Sequence, residues 1–393
     1  VRRIRVGVVG CGVISGIYLE NMTTRFKELE VAACADLLIG KAREAAERFN
    51  IPKYCGPQEL LADPSIELVV NLTIPAAHFE LNMAALEAGK HIYCEKPLAM
   101  TFAQGQQIMA KAAAKGLLVG CAPDTFMGSG LQTCRKALDE GWIGRPLAVT
   151  ANLVCHGHEA WHPAPEFYYK KGAGPMMDMG PYYLTALVSM LGPISRTTCY
   201  AGRFFDRRTI SSTSPLKGKI IDVEVLTHYA GLIEFKSGVI ANINMSFDIW
   251  QSNLPGIEIH GTEGSMIVPD PNWFDGAVRI LRGENMLDAV DGLPVDDAVE
   301  KFYSPEIKAM FKEMPIPYRQ AHNLRGLGVQ DLACAIISGR RPRADGAMAC
   351  HVLEALTSFD QVAANGGDCQ LQSTCERPEP LTAGLDIGDL TQA

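Results

Sequence analysis

The sequence predicts an α/β Rossmann domain, a doubly wound parallel sheet, over residues 1–123. An α+β domain with a large open, mainly antiparallel sheet is expected over 124–366, and an extended tail over 367–393. Three observations predict this. In the first third, short continuous apolar runs alternate with amphipathic helical stretches, the pattern of a parallel sheet covered on both faces. A glycine turn, Gly10-Cys11-Gly12, ends the first apolar run and opens the first helical stretch. From about residue 145 the helices thin out, and strand-like runs are separated by Gly, Pro and Asp turns.

Length and composition agree with two domains. A chain of 393 residues exceeds what one hydrophobic core serves. Apolar residues make up 47% and charged residues 20%, ordinary for a globular protein. With a net charge of −8 and no basic stripe, nothing in the chain is suited to holding nucleic-acid phosphates. The 12 cysteines include no CxxC pair, as expected of reduced thiols in a cytoplasmic protein. The opening run VRRIRVGVVG is short and broken by glycine, so neither a signal peptide nor a membrane span is expected.

In chain order, IRVGVVG reads as a strand and GVISGIYLENMTTRF as a helix; LEVAACAD is a strand and KAREAAERF a helix. IELVVNLT, HIYCE and LLVGCAP continue the strands, with AAHFELNMAALEAG and FAQGQQIMAKAAAKG as the helices between them. Crossovers of this length are right-handed, which gives the doubly wound topology. In the second half PLAVTANLVCH, TTCYAGRFF, VLTHYAGLIEF, GVIANINMSFDI, GIEIHGTEGSMIV and AVRILRG read as strands, and EFKSGVIAN as a hairpin. The segment 283–320 is poorly periodic and proline-bearing, the mark of a long surface excursion, before GLGVQDLACAIISG and GAMACHVLEALTSF return to helical spacing.

The glycine turn carries the first chemistry. Gly10 allows the tight turn, and Gly12 lets backbone amides approach a pyrophosphate at the helix N-terminus. The third position of the GxGxxG pattern is Ser15, small but a departure. Asp36 ends the second strand at the distance expected of a carboxylate that binds a ribose hydroxyl. Leu37 follows it with no arginine to hold a 2′-phosphate, so NAD is favoured over NADP, with Lys41 and Arg43 downstream keeping NADP as the alternative. Gly10, Gly12, Val13, Ile14, Asp36 and Leu37 are the expected contacts.

Taken together, VGVVGCGVIS, Asp36, NLTIPAAHFE, HIYCEKPLAM and GAGPMMDMGPYYLTALVSMLGP resemble the Gfo/Idh/MocA oxidoreductases. This is the family of glucose–fructose oxidoreductase and inositol dehydrogenase. The likeness runs in order over nearly the whole chain, and the Glu-Lys-Pro segment is its most specific element. The resemblance implies that Lys96 is the catalytic lysine, that Glu95 lies beside the nicotinamide end, and that Pro97 fixes the turn, often through a cis bond. It implies that Thr73, Ile74, Pro75 and His78 line the cofactor. It also implies a substrate among sugars, polyols and glycosides.

GPMMDMGPYYL places Asp178 and Tyr182 four residues apart, on one face if helical, with Pro181 limiting the regular helix upstream. Where this chain has Tyr182, the family usually has histidine as proton acceptor, and some members use tyrosine. The expected reaction is hydride transfer from a secondary C–H to NAD, with Tyr182 taking the hydroxyl proton. A phenol titrates near 10 unperturbed, so a nearby Lys96 charge is needed to lower it and to stabilise the alkoxide. The rival is a metal-dependent sugar isomerase or lyase using His156, His158 and His162, since two imidazoles and a carboxylate can hold zinc or manganese. The favoured reading binds no metal and places His156, His158 and Trp161 in the substrate cleft, one histidine being a second proton carrier. A third reading is a non-catalytic dinucleotide sensor, which would need no Lys96. His322, Asn323 and Arg325 are further cleft candidates. The free face of the second sheet is the expected surface for a homo-oligomer.

Overall fold

The structure is a computed structural model that describes residues 2–319 and 321–384. It divides into two compact units. Of the described residues, the first comprises 2–128, 321–357 and 372–384; the second comprises 129–319 and 358–371. The span 124–366 expected of the second domain is therefore not continuous, because residues 321–357 pack with the first unit.

In the first unit, β1 (Ile4–Val9), β2 (Leu29–Ala35), β3 (Tyr54–Cys55), β4 (Leu68–Asn71), β5 (His91–Cys94) and β6 (Val119–Cys121) form one sheet. Its order is β3-β2-β1-β4-β5-β6, and every pair is parallel. The order reverses beside β1, so β1 and β4 flank the switch point where such sheets bind ligands. Each long run is buried on both faces, which is why it reads as continuous rather than alternating apolar sequence. The strand β3 and the short helix Pro57–Ala62 escaped the sequence reading; two residues and six carry little periodicity. Ala344 accepts a hydrogen bond from the Cys121 N–H, and Asp345 bridges Gly120, so the chain after helix Leu327–Ser338 lies along β6.

Among the described residues the second unit has a nine-stranded sheet. In spatial order its strands are Lys312–Glu313, Arg279–Arg282, Gly264–Val268, Ile257–Gly261, Pro146–Val154, Ile240–Ser246, His228–Phe235, Ile194–Gly202 and Cys369–Gln370. Pro146–Val154 pairs parallel with Ile240–Ser246, and all other pairs are antiparallel. One face packs on the buried helix Pro175–Leu191. The other exposes Tyr200, Leu232 and Ile240.

A separate hairpin, Arg207–Thr209 with Ile220–Asp222, shares a small core with the loop after Pro146–Val154. Tyr169, Ile210, Ile221, Val223 and Phe247 fill it. The segment 283–320, expected as a poorly periodic surface excursion, carries regular structure: among its described residues are the helices Gly283–Val290, Val295–Phe302 and Pro305–Lys308, the first two without a buried residue, and the strand Lys312–Glu313. Pro294 and Pro305 sit at helix starts, where proline is tolerated, rather than breaking helices.

Candidate functional site

The glycine turn of the first unit fits a dinucleotide. Gly10 has φ +99°, and a Cβ there would lie 2.6 Å from the carbonyl carbon of Leu72. Only glycine is accommodated. At Gly12 and Gly16 a Cβ would meet nothing within 4 Å, so the turn faces open space. Ser15 turns its hydroxyl back onto the Gly12 carbonyl at 2.6 Å, which keeps its side chain out of that space and explains why serine serves at the third glycine position. Helix Ser15–Thr24 has neither a side-chain N-cap nor an acidic residue in its first turn. Its N-terminal N–H groups and positive dipole end are thus left for an anion.

Asp36 closes β2 and accepts from the Cys11 N–H (2.9 Å) and the Leu38 N–H (2.8 Å), which ties it to the turn. Val13, Leu37, Leu38 and Ile74 are all exposed around it. An apolar rim of this kind is suited to the flat faces of a nucleotide. Asp36 is thus tied to the turn that carries Gly10, Gly12, Val13 and Ile14, with Leu37 next to it in the chain.

The loops after β4 and β5 follow. Thr73 donates its hydroxyl to Asn71 Oδ1 at 2.6 Å, and Pro75 opens helix Pro75–Glu87. His78 differs from expectation. It is fully buried, with Nδ1 2.6 Å from the Pro97 carbonyl and Nε2 3.1 Å from the Thr73 carbonyl, and so faces protein rather than the open side. Glu95 is buried as well. It accepts the Tyr18 hydroxyl at 2.8 Å and the Lys96 N–H at 2.8 Å, so its carboxylate holds the turn. Burial and the Glu95 charge push the Tyr18 phenol well above its ordinary range. The Lys96–Pro97 bond is cis, and Lys96 is half-buried. Asn323 and Arg325 bond to each other and to Asn21, whose side-chain amide donates to both of their carbonyls.

The second unit holds the other candidates. Asp178 lies in the first turn of helix Pro175–Leu191, and the helix passes through Pro181 in its second turn. Asp178 and Tyr182 thus share a helical face, and Tyr182 is buried. His158 Nε2 lies 3.4 Å from Asp178 Oδ2. The imidazole is only 8% exposed and is enclosed by Trp161, Tyr168 and Phe247 at ring distances of 5.1, 4.1 and 4.5 Å. Its angles to Asp178 fall short of a hydrogen bond, and among the described residues neither ring nitrogen has a hydrogen-bond partner. A buried polar ring left in that state is costly unless a ligand completes it.

A network missed by the sequence reading fixes this loop. Arg208, buried on the hairpin, binds Glu159 at 2.9 Å, the Asp248 carboxylate and the Phe247 carbonyl at 2.8 Å. Tyr169 donates to the other oxygen of Glu159. Gly157 has φ +77°, and a Cβ there would strike both Tyr169 Oη and Glu159 Oε2. His156 is absorbed into the same network. Its Nδ1 faces the Asp248 carbonyl at 3.3 Å, Arg208 points at its Nε2 at 3.3 Å, and Trp250 stacks on it at 3.5 Å. That arrangement suits a neutral Nδ1–H tautomer. His162 accepts from the Ala164 N–H at 3.1 Å. His156 and His162 thus take different hydrogen-bond partners, and among the described residues no three His, Cys, Asp or Glu side chains gather to hold a metal ion.

Comparisons with known proteins agree with this fold. Residues 4–122 match the model of an oxidoreductase family with an NAD-binding Rossmann fold. Residues 131–267 match the GFO/IDH/MocA C-terminal domain. The inositol 2-dehydrogenase/D-chiro-inositol 3-dehydrogenase of Lactiplantibacillus plantarum is 35% identical over 37% of this chain, and the match spans 42% of that enzyme's length. The 1,5-anhydro-D-fructose reductase of Ensifer adhaerens is 28% identical over 67% of this chain and 72% of its own. A levoglucosan dehydrogenase solved with NADH and levoglucosan shares the fold, with a TM-score of 0.75, 22% identity and coverage of 95% of this chain and 100% of that one.

Proposed function

Because this chain belongs to the Gfo/Idh/MocA oxidoreductase family, we propose that it is an NAD-dependent dehydrogenase acting on a secondary hydroxyl of a sugar, polyol or glycoside. The observation that carries this reading is the His158–Asp178 pair under an aromatic lining, on the helical face that also bears Tyr182. Carboxylate, imidazole and phenol answer the rim hydroxyls of such a substrate, and Trp161 and Tyr168 answer its apolar face. The inositol dehydrogenase, anhydrofructose reductase and levoglucosan dehydrogenase likenesses support the same substrate class. NADP remains the alternative cofactor, to be compared directly.

NAD, held by Gly10, Gly12, Val13, Ile14, Asp36, Leu37 and the Thr73–Pro75 loop, supplies the hydride acceptor. Lys96 stabilises the alkoxide as the hydroxyl proton leaves, and Asp178 orients that hydroxyl. Tyr182 takes the proton in the reading closest to the family pattern. A second reading gives that role to His158, because its imidazole is buried, lacks a hydrogen-bond partner among the described residues and stands beside Asp178. An imidazole is also the better base near neutrality.

The test is steady-state turnover of Lys96→Met, Tyr182→Phe and His158→Asn across pH, after a screen of sugars, polyols, anhydrosugars and glycosides with NAD and NADP. A Lys96→Met enzyme with wild-type turnover removes the mechanism. Whichever of the other two abolishes a limb of the pH profile identifies the acceptor.

Assembly as a homo-oligomer through the exposed Tyr200, Leu232 and Ile240 face, and a reducing cytoplasmic setting for the twelve free cysteines, complete the proposal. The net charge of −8 supports a small-molecule partner over nucleic acid. Among the described residues no helix is long and apolar enough to cross a membrane. Light scattering that shows a monomer at micromolar concentration would remove the oligomer.

A further inference from the structure

Two side-chain amides are sealed inside the first unit. Asn71 ends β4 and is fully buried, and Asn82, on helix Pro75–Glu87, is 1% exposed. Burying such groups is costly unless their hydrogen bonds are made. Asn71 Oδ1 accepts from the Thr73 N–H at 3.2 Å and from the Thr73 hydroxyl at 2.6 Å. Its Nδ2 donates to Asn82 Oδ1 at 2.9 Å and to the His78 carbonyl at 3.4 Å. Asn82 Nδ2 in turn donates to the Leu98 carbonyl at 3.3 Å.

This chain of bonds has one direction. At one end the Thr73 N–H can only donate, and at the other the Leu98 carbonyl can only accept. Turning either amide over would set donor against donor and oxygen against oxygen, so both orientations are fixed. The bonds also join two segments that the sheet has released. Asn71 and Cys94 are the last paired residues of β4 and β5, and the Glu95 N–H donates to the Asn71 carbonyl at 2.9 Å. Past that point the chains part, one into the Thr73–Pro75 loop and the other into Lys96-Pro97-Leu98. Lys96 and Pro97 are the two residues between the tie at Glu95 and the tie at Leu98.

We propose that Asn71 and Asn82 are positioning residues: a one-way amide relay that sets the backbone of the Lys96 turn against the Thr73–Pro75 loop. Its effect on turnover rests on the roles proposed above for Lys96 and for that loop; the coupling of the two segments does not. Both amides are closed off from solvent, so neither meets a ligand itself, and their influence passes through the backbone at Thr73 and Leu98. The direction of the bonds makes the relay sensitive to a change that keeps shape. A carboxylate at 82 still accepts from Asn71 but has no proton for Leu98, and it sets a negative oxygen against that carbonyl. A protonated carboxyl at 82 accepts and donates as the amide does.

The experiment compares the full-length wild type with Asn82→Asp and Asn82→Ala. Hydrogen exchange is read first, without substrate or cofactor. In Asn82→Ala, amides in 72–75 and 96–100 should exchange about tenfold faster, while those of β1 and β2 keep wild-type protection. Turnover is then followed across pH with the substrate that the sugar and polyol screen returns, the folded fraction being checked by circular dichroism. Asn82→Asp should lose about 100-fold in kcat at alkaline pH, the scale of a misplacement of about 1 Å. It should recover most of that loss as pH falls and the new carboxyl, its affinity for the proton raised by burial, takes one up. His78, one turn earlier on the helix, and Cys94, paired with Asn71, are common to all three proteins, so the ratio to wild type at each pH is the reading. Asn82→Ala should show no such recovery, and a role in filling space alone would leave Asn82→Asp level with wild type throughout. Wild-type exchange in both segments, or an Asn82→Asp that tracks wild type or Asn82→Ala at every pH, would each overturn the proposal. If Asn82→Asp does not fold, exchange in Asn82→Ala decides alone. Lys96→Met is run alongside; undiminished turnover there overturns the lysine's role, and exchange still decides whether the amides couple the two segments.

Discussion

His158 and Asp178 bring an imidazole and a carboxylate to 3.4 Å inside an aromatic enclosure, with the imidazole 8% exposed. Two segments distant in sequence make this pair, a loop following a strand and the first turn of a long helix. If His158 carries the proton as proposed, loss of the imidazole removes that carrier and leaves the residues of the glycine turn unchanged. His158→Asn is expected to lower kcat by about 10²–10⁴-fold and to leave NAD binding, followed by fluorescence titration, unchanged. Undiminished kcat would return the proton to Tyr182.

Arg208 holds that loop. Its guanidinium is buried between the carboxylates of Glu159 and Asp248, with Tyr169 and Phe205 beside it. Arg208→Met keeps most of the side chain's length but leaves two buried carboxylates facing each other. Denaturant unfolding should show a loss of about 3–5 kcal/mol. A loss below about 1 kcal/mol would mean that the loop is held by its apolar core instead.

Asp36 gives a cofactor prediction. Removing its carboxylate takes away an acceptor from the Cys11 and Leu38 N–H groups as well as the proposed ribose contact. Asp36→Ala should raise the KM for NAD by about tenfold, the worth of one or two charge-assisted bonds, and narrow the preference over NADP. An unchanged KM would place the ribose elsewhere.

Asp124 gives a pH prediction. It is buried and accepts from the Gly326 and Gly328 N–H groups at 2.9 Å each. Burial outweighs those bonds and raises the carboxyl to about 6. Since the folded form holds the proton more tightly than the unfolded one, its favourable share is complete below the ordinary aspartate range and is lost as pH rises through about 6. Relative to Asp124→Asn, wild type should therefore lose stability between about pH 4 and 6, by roughly 2–3 kcal/mol. Parallel melting-temperature curves for the two proteins would refute this.

Much of the first unit was legible because a parallel sheet buried on both faces writes itself as apolar runs, and a glycine turn between strand and helix has few uses. The Glu-Lys-Pro segment was legible for its unusual chemistry at a strand end. What could not be read were long-range choices. Nothing local in Asp206-Arg207-Arg208 says that one arginine enters a buried network while its neighbour stays exposed. Nothing in AAHFE says that His78 turns inward; only the two carbonyls that meet its ring do. The regular structure in 283–320 was not legible because Pro294 and Pro305 mark helix starts rather than breaks, and three short helices lack the length for periodicity to register. The paired histidines were noticed, but their division into one structural ring and one unsatisfied ring is a property of packing.

The rim formed by Val13, Leu37, Leu38 and Ile74 leaves greasy side chains in water wherever a nucleotide does not cover them. The dinucleotide is then a wetting agent for this edge of the sheet as well as a reactant. Preparations stripped of it should clump sooner on warming, and added NAD should delay turbidity at concentrations that track its binding curve.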